Sequence, residues 1–273
     1  MSRYATDPFA DWLRLREPAD ADARAGELVD RLRDRLTGDR PLVVHDLGSG
    51  TGSMARWLAP RLPGPQHWIL YDRDPGLLDR ARAEPPRAAD GSPVELSTRQ
   101  ADITRLTAAD LAGAGLVTAS ALLDMLTAEE TDRIVAACAG AGCPTLFVLS
   151  VVGRVTVDPA DPLDAEVAAA FDDHQRRTVD GRTLLGPDAA AATVAAFARH
   201  GVDVTVRPSP WRLGPARAAL TAEWFAGWLD AAVEQRPELA DRAAEYGRRR
   251  SAQAAAGELT VTVGHDDLLA GAE

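Results

Sequence analysis

The chain contains no lysine and no asparagine, and all 30 of its basic residues are arginine. That bias matches a GC-rich coding genome better than any demand of function, so arginine abundance here is no sign of anion binding. Positive charge is itself in deficit: 41 acidic residues against 30 basic ones leave a formal net charge of −11. Such a surface repels a polyanion, and no basic stripe is concentrated enough to offset it, which argues against DNA or RNA as substrate. Cysteine is nearly absent. The two present, Cys138 and Cys143, have neither zinc-ligand nor redox spacing and read as small buried residues around a helix end. No apolar run approaches the length needed to cross a bilayer, and the start MSRYATDPFADW lacks a charged segment leading into a hydrophobic one. The expectation is a cytoplasmic protein with no membrane partner. No internal repeat is present, and Asp158 to Asp164 reads as a turn too short to separate domains. At 273 residues the chain has the length to bury a large core, as one domain with additions.

What is present is most informative between Leu42 and Gly52, LVVHDLGSGTG, where a short apolar strand runs straight into glycines and then into helix-like sequence from Ser53 to Leu62. This is the pattern of the nucleotide-binding end of an open α/β sheet. A dinucleotide fingerprint requires a third glycine or alanine where Ser53 stands; what is written instead is Asp46-x-Gly48-x-Gly50-x-Gly52. The next strand, His67 to Tyr71, ends at Asp72, twenty residues after Gly52. In nucleotide-binding α/β folds a carboxylate at that tip takes the ribose hydroxyls, because one carboxylate accepts from two adjacent OH groups. Asp74-Pro75 then reads as an N-cap followed by proline at the first helical position. Further strands are expected at Val94 to Ala101, ending in Asp102-Ile103, at Leu116 to Ser120, and at Thr145 to Val152. Between the last two, Thr127 and Glu130 have capping-box spacing. After a helical stretch from Leu163 to Arg177 and an alanine-rich helix stopping at Gly201, strands are expected at Val202 to Arg207 and Leu259 to Val263. Strands alternating with helices give a parallel sheet with its ligand contacts at the C-terminal strand tips, where these acids lie.

The acid and three alternating glycines resemble motif I of the class I (Rossmann-like) S-adenosylmethionine (SAM) dependent methyltransferases, and the resemblance runs well from Leu42 to Val152 and loosely over the last two strands. It implies an α/β fold with a seven-stranded, mostly parallel sheet, helices on both faces and an antiparallel last strand. It implies SAM as cofactor and S-adenosylhomocysteine (SAH) as product. Gly48, Ser49, Gly50, Thr51 and Gly52 would bring bare main chain to the ribose and methionine tail, since glycine removes side chains from the approach. Asp46 would accept from the loop amides or face the ammonium group, and Asp72 with Arg73 would lie at the ribose. Asp102 would accept from the adenine amino group while Ile103 packs on the ring. Ser120, Leu122 and Asp124 would pass beneath SAM toward the methyl group. Arg16 or Arg24 would pair with the SAM carboxylate, although the sequence offers no geometry for it. No magnesium-dependent arrangement of acids is present, nor the Asn/Asp-Pro-Pro-Tyr motif of nucleic-acid amino-methylating enzymes, so no metal is expected.

Within one methyltransferase domain the expected parts are an N-terminal helical cap (1–40), a SAM-binding core (41–207), a helical lid insertion (208–257) and the final strand (258–273). Two segments depart from a bare core: Tyr4 to Leu36, with Trp12, Leu13 and Leu15, and Thr221 to Ala256, with Trp224, Phe225, Trp228 and Tyr246 at spacings of one helical face. The resemblance implies a lid over the pocket; the same aromatics would equally serve to cement extra helices to the core. Methyl transfer to a reactive nucleophile needs little beyond placement and exclusion of water. If the acceptor is a hydroxyl of high pKa, His174 is the leading candidate base, with Asp173 beside it and Asp124 as the alternative. His45, inside the first strand, reads as structural. His265, in Gly264-His265-Asp266-Asp267, reads as lying just past the last strand, toward the sheet edge or solvent. The expected function is SAM-dependent methyl transfer to a small-molecule acceptor at O, N or C in bacterial secondary metabolism, with a homodimer as the expected assembly. The alternatives are a SAM-pocket protein with a binding or cyclising role and, less well supported given Ser53, an NAD-dependent oxidoreductase.

Overall fold

A computed structural model describes residues 7–36 and 41–271 of the chain. Tyr4, the start of the N-terminal segment read above, and the last two residues of the final-strand part lie outside the described residues.

Helix α1 (Pro8–Ala23) begins where Asp7 accepts from the Phe9 amide at 3.1 Å with proline at the first helical position, and α2 (Gly26–Arg35) follows it directly. Strand β1 (Leu42–Leu47) then enters the glycine turn, and α3 (Ser53–Leu58) leaves it. Strand β2 (Gln66–Asp72) precedes α4 (Pro75–Ala83), where Asp74 caps the Gly76 amide at 2.7 Å as its place before Pro75 leads one to expect. Next come β3 (Val94–Gln100), β4 (Leu116–Ser120) and α5 (Ala128–Ala141), whose start carries the full Thr127–Glu130 capping box. Strand β5 (Thr145–Asp158) is followed by α6 (Asp164–Gln175), the small hairpin β6 (Thr178–Val179) and β7 (Arg182–Thr183), and α7 (Ala189–Arg199). The chain ends with β8 (Val204–Pro208), β9 (Trp211–Leu213), α8 (Ala218–Gln235), α9 (Ala240–Ala256) and β10 (Thr260–Ala270).

The main sheet runs β3-β2-β1-β4-β5-β10-β8 and is parallel from β3 through β5, while β10 is antiparallel to both its neighbours. This is a mostly parallel sheet with an antiparallel strand near one edge, as the resemblance implies. Side chains alternate between the two faces, as the pleat requires. Val44, Trp68, Leu70, Leu116, Leu146 and Val148 face a core shared with α2, α3, α6 and α8. Leu47, Ile69, Tyr71, Val117 and Phe147 face a second core shared with α5 and α7.

Three departures from the seven-strand expectation bear on the site. The sheet has eight strands, because the chain resumes after Pro208-Ser209-Pro210 as β9, which pairs with the first half of β10. The stretch 208–257 is therefore not wholly helical. Strand β5 extends to Asp158, held there by β10, beyond the expected end at Val152. Strand β10 itself reaches Ala270, and its register slips between Val263 and His265 and again between Asp266 and Leu268. His265 thus lies inside the strand, between two bulges that re-aim side chains, and not past its end.

Candidate active site

A cavity of about 670 Å³ opens at the C-terminal tips of β1, β2 and β4 and continues under α1 and α8. Its two lobes differ in chemistry. One is floored by the β1 turn; the other is walled by indoles.

In the first lobe Gly48 and Gly50 have φ of +63° and +53°, the left-handed region that glycine enters without penalty. A Cβ added to Gly48 would come within 3.0 Å of Leu122 and one on Gly50 within 3.3 Å of Leu13, so bare main chain forms this floor. The turn is pinned from β2: the Ser49 amide donates to the Tyr71 carbonyl at 2.8 Å, and the Gly50 amide donates to Asp72 Oδ2 at 2.8 Å. Asp72 Oδ1 accepts from the Asp74 amide at 3.0 Å. One bond to each oxygen fixes the carboxylate and leaves it spare acceptor capacity on the cavity wall. Asp46 is 1% exposed; its Oδ1 accepts from Thr118 Oγ1 at 2.7 Å, and its Oδ2 is buried without a partner. Burial pushes the Asp46 carboxyl up to about 7, against the pull of the Thr118 hydrogen bond and of Arg24.

These groups fit an adenosyl sulfonium amino acid. Asp72 offers acceptors for a vicinal diol, the orphaned Asp46 Oδ2 lacks the donor an ammonium group carries, and the glycines leave room for the chain between them. Ser49, Thr51, Arg73, Ile103, Ser120, Leu122 and Asp124 also line the cavity. Gly52 and Asp102 do not. Gly52 instead lets α3 approach α4, since a Cβ there would meet that of Ala81 at 3.1 Å. Asp102 turns back on its own loop, accepting from the Thr104 amide and hydroxyl at 3.0 and 2.7 Å and from Arg73 Nη2 at 2.7 Å. Burial raises its carboxyl, but these donors outweigh that and bring it down to about 2. Ala101, Ile103 and Thr104 form the wall in its place.

The two arginines proposed for a carboxylate separate. Arg24 lies behind the wall, with burial lowering its pKa; its Nη2 donates to Ser120 Oγ at 2.9 Å and Ser53 Oγ at 3.2 Å, and both serines line the cavity. Arg16 is on the wall, but its guanidinium is already taken by both carboxylate oxygens of Asp20, at 3.0 to 3.3 Å.

The second lobe is built by α1, β9, α8 and β10. The Trp211 indole donates to Asp20 Oδ1 at 3.0 Å, meets Trp12 edge-on at 6.5 Å, and carries the Arg16 guanidinium 4.8 Å above its ring. Trp224 and Trp228 stack at 5.4 Å on the opposite side. His265 lies 5.3 Å from Trp211, and its Nδ1 is 3.0 Å from the Val263 carbonyl. A carbonyl only accepts, so Nδ1 carries the proton and Nε2 keeps its lone pair. Burial and the nearby Arg16 lower the His265 pKa to about 3, so the ring is neutral at neutral pH. Asp124 also lines the cavity, and burial raises its carboxyl; it makes no ion pair among the described residues.

His174 is not brought to the cavity. Its Nε2 faces Glu234 of α8 at 3.4 Å and its Nδ1 faces Arg177 Nη1 at 3.2 Å. One residue on, Gln175 turns to the wall with Phe171, four positions before it on the same helix. Of the two candidate bases, only Asp124 lines the cavity. His45 is buried against the Tyr71 hydroxyl at 2.9 Å, a structural place. Trp211 had no sequence signal beyond a three-residue alternation after two prolines, and His265 was obscured by the bulges around it.

Residues 44–145 match the family described as Methyltransferase domain. No curated protein matches the chain in sequence. Among solved structures the chain is similar to an O-methyltransferase family protein from Burkholderia thailandensis, at 20% identity and TM-score 0.47, covering 76% of this chain and 58% of that one. The chain thus spans little more than half the length of that protein. It is also similar to the cyclopropane synthase MmaA2 from Mycobacterium tuberculosis, at 12% identity and TM-score 0.47, covering 90% of this chain and 83% of that one. A third similar structure is a SAM-dependent methyltransferase from Geobacter sulfurreducens in complex with S-adenosyl-L-homocysteine, at 16% identity and TM-score 0.43, covering 94% and 97%.

Proposed function

We propose that this chain, a Rossmann-like SAM-dependent methyltransferase by its core, transfers a methyl group to a small-molecule acceptor held in the indole-walled lobe. The observation that carries the reading is a single cavity in which the glycine floor and the Asp72 carboxylate on one side meet a chemically different, apolar lobe on the other. When bound, SAM supplies a methyl group on a positively charged sulfur, which leaves as a neutral thioether. The chain's own residues do the rest. Asp72 and the Gly48–Gly50 turn hold the nucleoside half, Asp46 takes the amino group, and α1 with α8 keep water from the reacting centre. For a hydroxyl acceptor, the proton would pass to an acceptor on the cavity wall, for which the Asp124 carboxylate and His265 Nε2 are placed. A more reactive nitrogen or carbon nucleophile needs no such transfer.

The small-molecule class is supported by the enclosure of the acceptor lobe and by the charge of −11, which opposes a nucleic-acid partner. No described helix is long and apolar enough to cross a membrane, in keeping with a cytoplasmic setting. The lysine-free composition supports a GC-rich bacterial source, in which we place the reaction in secondary metabolism. A homodimer is compatible with the reading.

The test is incubation with methyl-labelled SAM and a panel of hydroxyl, amine and carbon-nucleophile compounds. Label in an acceptor together with equimolar SAH supports the proposal. SAM binding with no transfer to any class of acceptor would favour the binding or cyclising alternative.

A further inference from the structure

The arginines of the cavity wall are paired, while neutral and acidic groups on it are not, the buried Trp228 indole N–H and Gln175 Oε1 among them. Each of its wall arginines is already committed to a carboxylate: Arg16 to Asp20, and Arg182 to Glu130 at 2.7 Å. At the opening toward β2, Arg73 is likewise held by Asp102. No free cation is therefore offered to an anionic ligand by these three. The acceptors, in contrast, are open. His265 Nε2 keeps its lone pair because Nδ1–H is fixed on the Val263 carbonyl, and the Asp124 carboxylate lines the same cavity with no ion-pair partner among the described residues.

The walls add a second constraint. Trp12, Trp211, Trp224 and Trp228 present indole surface, and ring-to-ring contact adds attraction beyond apolar burial. A cationic ligand would ordinarily be drawn to such faces. Here the Arg16 guanidinium already occupies the Trp211 face, 4.8 Å from its ring, so that face is closed to a second cation.

Resting on the methyl-transfer reading of the same cavity, we infer that the methyl acceptor is an uncharged, flat aromatic molecule bearing a hydroxyl group, its ring among the four tryptophans and its O–H donated to His265 Nε2. His265 then acts as a positioning residue that aligns the hydroxyl oxygen with the methyl donor through the single hydroxyl proton, which it holds on Nε2.

The test uses three probes of one ring size on the whole protein with SAH bound: 2-naphthol, 2-naphthoate and 2-naphthylmethylammonium, each titrated by calorimetry near neutral pH. The naphthol is expected to bind at least about ten-fold more tightly than either charged probe, the difference one unmatched buried polar group makes. His265→Phe, which keeps a ring but loses the acceptor, should cost about ten-fold in naphthol affinity and leave SAH affinity unchanged. His265→Gln, with an amide oxygen at similar reach, should recover most of it. Equal or tighter binding of the naphthoate or the ammonium probe overturns the inference, as does a His265→Phe protein that binds SAH and naphthol as the wild type does. If the phenylalanine variant does not fold, the three-probe ranking on the unaltered protein still decides. Loss of SAH binding in the unaltered protein would count against the methyl-transfer reading instead, and the same ranking on the ligand-free protein would still judge the lobe.

Discussion

The Trp211 indole N–H donates to Asp20 Oδ1 at 3.0 Å, tying the short edge strand β9 to the N-terminal helix across 191 positions of sequence. The same carboxylate holds Arg16, and Asp20 is 4% exposed. One acid therefore anchors both the ring and the cation that shape the acceptor lobe. Replacing Asp20 by Ala leaves a largely buried guanidinium and an indole N–H without partners, at an expected cost of about 2–3 kcal/mol. Asp20→Asn, which keeps an acceptor for Trp211, should cost less. Urea denaturation of the two variants beside the wild type measures both, and equal stability for all three would show that Asp20 holds nothing.

The Asp46 carboxyl, raised by burial to about 7 from an ordinary value of 3.8, makes two pH dependences of opposite sign. Between about pH 4 and pH 7 the folded protein keeps a proton that the unfolded chain has released. Stability of the ligand-free protein should therefore fall as pH rises through this window and level off above it. SAH affinity should instead rise as pH passes 7, because the ionised carboxylate is the better acceptor for an ammonium group. Asp46→Asn should remove both components, and the difference between variant and wild type isolates Asp46 from other raised carboxyls such as Asp172. Thermal melts and SAH titrations at a series of pH values give the two curves.

Asp72 contacts no apolar core, and its carboxylate is held by two main-chain amides. Asp72→Ala should lower SAH affinity at least about ten-fold, the scale of hydrogen bonds to a charged group, while changing the unfolding midpoint far less. An unchanged affinity would remove Asp72 from the ribose.

Gly48→Ala tests the glycine floor. With φ at +63° and Leu122 3.0 Å from the added Cβ, alanine is strained and crowded at once. A loss of about 1–2 kcal/mol of stability is expected from the backbone alone, with a drop in SAH affinity beyond it as the floor rises. Retained affinity in a folded Gly48→Ala protein would mean the ligand lies elsewhere.

Most of the sheet was legible because its central parallel strands β1, β2, β4 and the first half of β5 are buried on both faces over most of their length. Leu42 to Leu47 and Leu116 to Ser120 are apolar runs with sharp ends, and Asp74 and Thr127 cap helices by rules that act within four residues. That Asp46, Asp72, Gly48 and Gly50 line the cavity was legible for the same reason, their position at a strand tip. What was not legible depends on contacts distant in sequence. Strand β10 breaks its own alternation, since Asp267, fully buried, accepts from the Leu149 and Ala25 amides at 2.8 Å each, and a buried acid inside a strand reads as a turn. His265 was misplaced with it. Trp211 is assigned to the site only by its bond to Asp20. The Asp102 carboxylate went to its own loop because Thr104 and Arg73 are closer donors than any ligand, a competition that spacing does not record. His174 and Gln175 are neighbours in sequence, and only helix rotation decides which faces the cavity.

The most direct measurement of the central claim is a calorimetric titration of the folded protein with SAH, run beside one with NAD. Saturable one-to-one binding of SAH, abolished or strongly weakened in Asp72→Ala, with no heat from NAD, is the predicted result. Binding of NAD without SAH, or no heat from SAH while the protein is demonstrably folded, would contradict it.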